Sequence, residues 1–225
     1  MLWASFLTSH QKVIRLWRAV YKGYSLVMKD KVAIIDSIGS NMASLEFALR
    51  RIDKDFEITN DTDLIRKASH IILPGVGAAK DAMMRLKDRE LINEIMNLKK
   101  PTLGICLGMQ IFMDASMEED TDCLGIISNK CKPFKLDSDY PVPHMGWNKV
   151  YFTTDSTLTK NLKDGDYYYF VHSYYVPICN ETIGVSKYST DFSAVIEKDN
   201  FFGTQFHPEK SGLAGEKILE SFVSL

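Results

Sequence analysis

The sequence predicts an α/β fold: a single domain with a central parallel to mixed sheet flanked by helices, and a strand-rich second half. Two observations carry this. In the first half, short apolar runs alternate with amphipathic stretches, and the runs end in turns containing Gly or Pro. From Trp147 onward, helical spacing gives way to strand signals with little helix between them. A chain of 225 residues, 45% hydrophobic, suffices for one domain with a substantial core. No internal repeat or low-complexity linker divides it.

The elements follow in order. Residues 31–36 read as a buried strand ending in a glycine-containing turn over residues 37–41. Asn41 is a candidate N-cap for a helix presenting Leu45, Leu49 and Ile52 on one face. Residues 70–73 form a second buried strand, ended by Pro74-Gly75-Val76-Gly77. Residues 81–99 read as helix with a break near Asp88, residues 102–105 as a third strand, and residues 107–115 as a helix. Strands are then expected over residues 147–152, 166–176, 182–188, 193–197 and 201–206. A closing helix is expected over residues 212–223.

The start of the chain differs from the rest. Residues 1–30 read as a basic amphipathic N-terminal extension, ahead of the domain at 31–225. Lys12, Arg15, Arg18 and Lys22 are accompanied by no acid before residue 28, and Val13, Leu16, Trp17, Val20 and Tyr24 recur at helical spacing. A transit or membrane-surface segment is one reading. An appended helix, or a true start at Met28, is the plainer one.

A formal net charge of −2 leaves no nucleic-acid footprint. No apolar run approaches the roughly 20 residues a membrane helix requires. The four cysteines, Cys106, Cys123, Cys131 and Cys179, form no CxxC pair. Metal and disulfide readings are therefore weak, a reducing cytoplasm fits, and no metal or cofactor is expected.

The chemistry centres on Gly104-Ile105-Cys106-Leu107-Gly108, between an apolar strand and a helix-patterned segment. This is the spacing of a nucleophile elbow with Cys in place of Ser. So sharp a turn needs small neighbours, because a Cβ at either glycine would crowd the adjacent chain. The helix dipole favours a thiolate at Cys106, and the Leu107 N–H is left to face an oxyanion. A buried structural Cys between packing glycines is the plain alternative.

Phe206-His207-Pro208-Glu209 follows an apolar strand. A thiolate nucleophile needs an imidazole to move its protons and a carboxylate to orient that imidazole. His207 and Glu209 lie two apart, so they share a face in extended chain. Gly75, Val76 and Gly77 are candidates for a second oxyanion donor, since glycines after a strand let backbone N–H groups turn outward.

The runs Gly104-Ile105-Cys106-Leu107-Gly108-Met109-Gln110 and His207-Pro208-Glu209-Lys210-Ser211 resemble class I glutamine amidotransferases. Pro143-His144-Met145-Gly146-Trp147-Asn148 and Tyr169-Phe170-Val171-His172-Ser173-Tyr174-Tyr175 narrow this. With them the chain is similar, from about Val32 to its C-terminus, to the glutaminase subunits of imidazole glycerol phosphate synthases of histidine biosynthesis. The resemblance implies a flavodoxin-like fold and a triad of Cys106, His207 and Glu209. It implies oxyanion donors at Leu107 and Gly75 to Gly77. It implies that Gln110, Glu118, Ser173 and Tyr174 bind glutamine. It also implies a heterodimer with a (βα)8-barrel cyclase, which receives ammonia through an internal channel and makes imidazole glycerol phosphate and aminoimidazole carboxamide ribotide. Asn41, Met145, Trp147 and Lys210 are the candidate partner contacts.

One string departs from the family. Where an Asp-Tyr-Gly-x-Gly-Asn pattern is usual, this chain has Asp36-Ser37-Ile38-Gly39-Ser40-Asn41. The departure leaves the triad untouched and bears on the partner. A paralogous glutaminase subunit serving another synthase, such as a sugar-amidating enzyme of surface polysaccharides, is the alternative. Anthranilate- and guanylate-type amidotransferases share the elbow but not the His144 and His172 strings. A cysteine protease, a redox sensor and a degenerate binding subunit are the readings from other classes.

Overall fold

The computed structural model describes residues 31–36, 42–135 and 139–225. The N-terminal extension expected over residues 1–30 lies outside the described residues, as does Asn41 with its two expected roles.

The first half builds parallel sheet. Strands β1 (Val32–Ile35), β2 (Phe56–Thr59), β3 (His70–Gly75) and β4 (Thr102–Cys106) alternate with helices α1 (Met42–Arg51), α2 (Thr62–Lys67), α3 (Ala79–Asp88) and α4 (Leu91–Met96). Helix α5 (Leu107–Gln110) follows β4 directly. The remaining strands are β5 (Met113–Ser116), β6 (Thr121–Asp122), β7 (Ile127–Pro133), β8 (His144–Lys149), β9 (Tyr151–Phe152), β10 (Tyr167–His172), β11 (Tyr174–Tyr175), β12 (Thr182–Tyr188), β13 (Thr190–Lys198) and β14 (Phe201–Thr204). Helix α6 (Gly212–Phe222) closes the chain.

Eight strands form the main sheet, in the order β2-β1-β3-β4-β14-β13-β12-β9. The pairs from β2 through β14 are parallel and the rest antiparallel. This is the mixed sheet that the change of pattern predicts. All four residues of β1 are buried, as parallel strands covered on both faces must be. Alternate residues serve opposite faces: Ala33 and Ile35 pack with Ile65, Leu86 and Phe112 on one side. Val32 and Ile34 pack with Leu45, Leu49 and Ile218 on the other.

Three differences from expectation matter. The helix expected over residues 107–115 ends at Gln110, and Met113–Ser116 is instead strand β5, paired with β6 and β7. The apolar run Ile111, Phe112, Met113 is buried throughout, and such a run does not distinguish helix from strand. The strand expected over residues 166–176 is two strands, because β10 pairs with β8 while β11 pairs with β7 in another sheet. The strand expected over residues 147–152 is likewise split between β8 and β9. The expected helix break is present: Glu90 has φ 57° between α3 and α4.

Candidate active site

Cys106 ends β4 with φ 54° and ψ −108°, a backbone conformation that L-residues rarely adopt. The flanking glycines make the turn possible. A Cβ at Gly104 would lie 2.5 Å from the Gly108 carbonyl oxygen, and one at Gly108 only 1.8 Å from that of Leu73. The strand, the turn and the neighbouring β3 therefore close on one another without room for a methyl group. Gly75 pairs with Cys106 in parallel register, so the Pro74–Gly77 segment leaves the sheet beside the sulfur. Because α5 has one turn only, the dipole available to Cys106 is smaller than the longer expected helix would supply.

His207 stands just beyond β14, the strand next to β4, and so reaches Cys106 across 101 residues of sequence. Its Nδ1 and Glu209 Oε1 are 2.8 Å apart. Its backbone N–H donates to the Tyr169 carbonyl at 2.9 Å. Buried Ser211 locks the same joint, donating to the His207 carbonyl at 2.6 Å and accepting from the Tyr169 N–H at 2.9 Å. Burial opposes a charge on His207, but the neighbouring Cys106 sulfur and Glu209 carboxylate prevail, and its pKa is pushed up to about 10. His207 therefore holds its proton more tightly than a free imidazole, between the sulfur and the carboxylate. Its Nε2 is buried and has no hydrogen-bond partner.

A second polar chain reaches the sulfur. Gln205, fully buried, donates from Nε2 to Cys106 Sγ at 3.7 Å. Its Oε1 accepts from Gln110 Nε2 at 2.9 Å, and Gln110 Nε2 also donates to the Tyr174 carbonyl at 2.8 Å. With both amide hydrogens so engaged, Gln110 Oε1 is the atom left to accept from a ligand.

A cavity of about 340 Å³ opens over the sulfur, lined among others by Val76, Gly77, Leu107, Gln110, Glu118, Ser173 and Tyr174. The structure thus gathers the expected glutamine-binding residues and most of the expected oxyanion segment around Cys106. Gly75 is the exception, buried inside β3 and outside the cavity wall. Glu118 does more than line the wall: its Oε2 accepts from the Ala79 N–H at 2.8 Å and caps α3, immediately after Gly77. Met145 and Trp147, on the outer face of β8, are 63% and 55% exposed, and Lys210 is exposed too. These three lie outside the cavity wall. Trp147 is therefore a surface residue rather than a core one.

The sequence alone assigns no role to Gln205, Ser211, His144 or His172. Gln205 and Ser211 flank the His207 motif, and His144 and His172 stand in the strings that narrow the resemblance. Their positions are thus visible in the sequence, while their partners are not.

The described residues contain no helix long and apolar enough to cross a membrane. The family described as glutamine amidotransferase class-I matches residues 31–224. A Legionella pneumophila subsp. pneumophila (strain Philadelphia 1) protein named imidazole glycerol phosphate synthase subunit HisH 2 is 45% identical over 194 residues, 86% of this chain and 98% of that protein. The protein named imidazole glycerol phosphate synthase subunit HisH in Vibrio parahaemolyticus serotype O3:K6 is 40% identical, over 88% of this chain and 99% of its own length. Two solved structures, both from Thermotoga maritima, share the fold. A glutamine amidotransferase has TM-score 0.59 at 19% identity, over 86% of this chain and 82% of that one. PurLQS has TM-score 0.63 at 20% identity, over 88% and 99%. With a family match running the length of the domain and relatives of this identity covering nearly all of their own chains, the protein belongs to the class I glutamine amidotransferases, a family of enzymes.

Proposed function

We propose that residues 31–225 form the glutaminase subunit of an imidazole glycerol phosphate synthase. In this reading the subunit hydrolyses glutamine to glutamate and ammonia through Cys106, His207 and Glu209. It passes the ammonia to a (βα)8 cyclase in a cytoplasmic heterodimer, which makes imidazole glycerol phosphate and aminoimidazole carboxamide ribotide. The observation that carries the reading is one cavity in which Cys106, on a strained elbow, meets Gln110, Glu118, Ser173 and Tyr174, with the His207–Glu209 pair beside the sulfur. The names and coverage of the relatives support the choice of synthase.

The chemistry follows from the geometry. The Cys106 sulfur attacks the side-chain amide carbon of glutamine, and the amide oxygen becomes an oxyanion facing the Leu107 N–H and the segment of Val76 and Gly77. His207, held by Glu209, protonates the departing ammonia, leaving a thioester on Cys106. The neutral imidazole then takes a proton from water, whose oxygen attacks the thioester and releases glutamate. Glu118 holds the start of α3 and hence the oxyanion segment, so docking of a partner near Val76 would reach the site through that segment.

The test pairs the full chain with the (βα)8 cyclase of its source. Glutamate release and imidazole glycerol phosphate formation are measured with glutamine and, separately, with an ammonium salt. The reading expects glutamine to drive synthesis only with Cys106 intact and ammonium to drive it regardless. A folded complex that uses ammonium but not glutamine, with Cys106 unaltered, refutes it. Glutaminase activity that ignores this cyclase but rises with another synthase would instead support the paralogous reading, which rests on the departing string from Asp36 to Asn41.

A further inference from the structure

At the cavity wall, where His172 contributes to the lining, lies a second pair of buried imidazoles. His144 on β8 and His172 on β10 face each other in antiparallel register and are 3% and 6% exposed. His144 Nδ1 and His172 Nε2 are 3.0 Å apart. The end groups fix the direction of every hydrogen bond along this line. Asn148 Oδ1 accepts from the Lys149 N–H at 2.8 Å and Asn148 Nδ2 donates to the Lys187 carbonyl at 2.9 Å, which settles the amide orientation. The same Nδ2 lies 3.3 Å from His144 Nε2, which must therefore accept. At the other end His172 Nδ1 lies 2.7 Å from the Tyr174 carbonyl, which can only accept. Both rings consequently carry their proton on Nδ1, and the line runs from Asn148 through His144 and His172 to the Tyr174 carbonyl. That carbonyl also receives Gln110 Nε2, and Gln110 in turn holds Gln205 against the Cys106 sulfur.

We propose that His144 and His172 are positioning residues, a one-directional hydrogen-bond relay that sets the aim of Gln205 at the Cys106 sulfur. The relay deepens the reading of Cys106 as the nucleophile and rests on it. Neutral rings are required, because a second proton on His144 would point at the Asn148 donor. Burial supplies this, lowering the pKa of His144 to about 4 and that of His172 to about 3. The strand also gives the relay an outside handle: His144 and Asn148 point inward from β8, while Met145 and Trp147 stand on its outer face.

A packing role makes the opposite prediction, since Phe134, Phe170 and Phe192 already surround His172. His172→Phe keeps the aromatic bulk and removes the donor; His172→Asn removes the ring and keeps a donor near the Nδ1 position. The measurement is the iodoacetamide alkylation rate of Cys106 at pH 7 in the full chain, read by mass spectrometry of its peptide. The relay predicts a fall of about tenfold for His172→Phe and a rate within about twofold of the parent for His172→Asn. Equal rates in all three proteins, or the larger loss in the Asn variant, overturn it. Should the Phe variant fail to fold by circular dichroism, long-range ¹H–¹⁵N correlation on the unmodified chain decides. Nδ1–H on both His144 and His172 supports the relay, and Nε2–H on either overturns it. Neither measurement needs glutamine or a partner, so a chain inactive as a glutaminase with an intact relay would sink the proposed function alone.

Discussion

His207 and His172 are two deeply buried histidines near one sulfur, and their surroundings shift their pKa values in opposite directions. His207 lies against a carboxylate and a thiol, and its pKa is pushed up to about 10. His172 lies against a carbonyl and another imidazole, and burial takes its pKa down to about 3. Desolvation penalises the charged ring in both; the anionic partner decides the outcome. The elbow region thus sets a proton-holding ring between a carboxylate and a sulfur, whereas the β8–β10 ribbon holds an uncharged hydrogen-bonded line. Burial of a titratable residue says little about its role until its neighbours are known.

The largest effect that would break this contrast is at the sulfur. Cys106→Ala should lower glutamine-dependent glutamate release about ten-thousand-fold or more while leaving ammonium-driven synthesis by the complex unchanged. Next is the elbow itself. Gly108→Ala places a Cβ 1.8 Å from the Leu73 carbonyl oxygen and should cost about 3 kcal/mol in urea unfolding, with glutaminase activity lost in step. The two kinds of histidine should then separate in the pH dependence of stability. Because the folded pKa of His207 is raised, its contribution is fully present below its ordinary 6.5 and is lost as pH rises toward about 10. The difference in urea midpoint between parent and His207→Gln should shrink across that interval. His144 and His172 have lowered values, so their contribution is present above 6.5 and is lost as pH falls toward about 4 and about 3. The double variant with Phe at both positions should show a flatter acid limb. Glu118→Ala removes the acceptor at the start of α3 and should cost about 1 kcal/mol of stability while raising the KM for glutamine. The smallest effect on the chain alone should come from Trp147→Ala, within about 0.5 kcal/mol, although cyclase binding measured by calorimetry should weaken by about 2 kcal/mol.

The parallel half is legible because its rules are local. Strands buried on both faces read as continuous apolar runs, and Gly104 and Gly108 around a Cys permit a turn that larger residues cannot make. Edge strand β2 (Phe56–Thr59) and helix α2 (Thr62–Lys67) carry little periodicity in four and six residues. Helix α2 is marked instead by its Asp61 cap, Asp63 in its first turn and Arg66 and Lys67 in its last, a signal the apolar pattern does not contain. Strand β5 reads as helix because the apolar run Ile111, Phe112, Met113 leads into it without alternation, and such a run does not distinguish helix from strand. In the site, residue type and spacing single out Cys106, His207 and Glu209. Gln205 and Ser211 do not stand out, because an amide and a hydroxyl reveal nothing of their partners until folded.

The sequence by itself determined that Cys106 sits between two glycines and that His207 and Glu209 stand two apart. The fold decided that β3 closes on Gly108 and that Glu209 reaches His207 from a 3₁₀ turn (Pro208–Lys210) rather than from extended chain. Tertiary structure alone decided that β14 lies beside β4, which brings His207 to Cys106 from 101 residues away. It alone decided that β10 pairs with β8, which sets His172 against His144. Sheet order and register arise from long-range pairing and from the packing of two faces at once, and the charge on a buried histidine is fixed only when those pairings choose its neighbours.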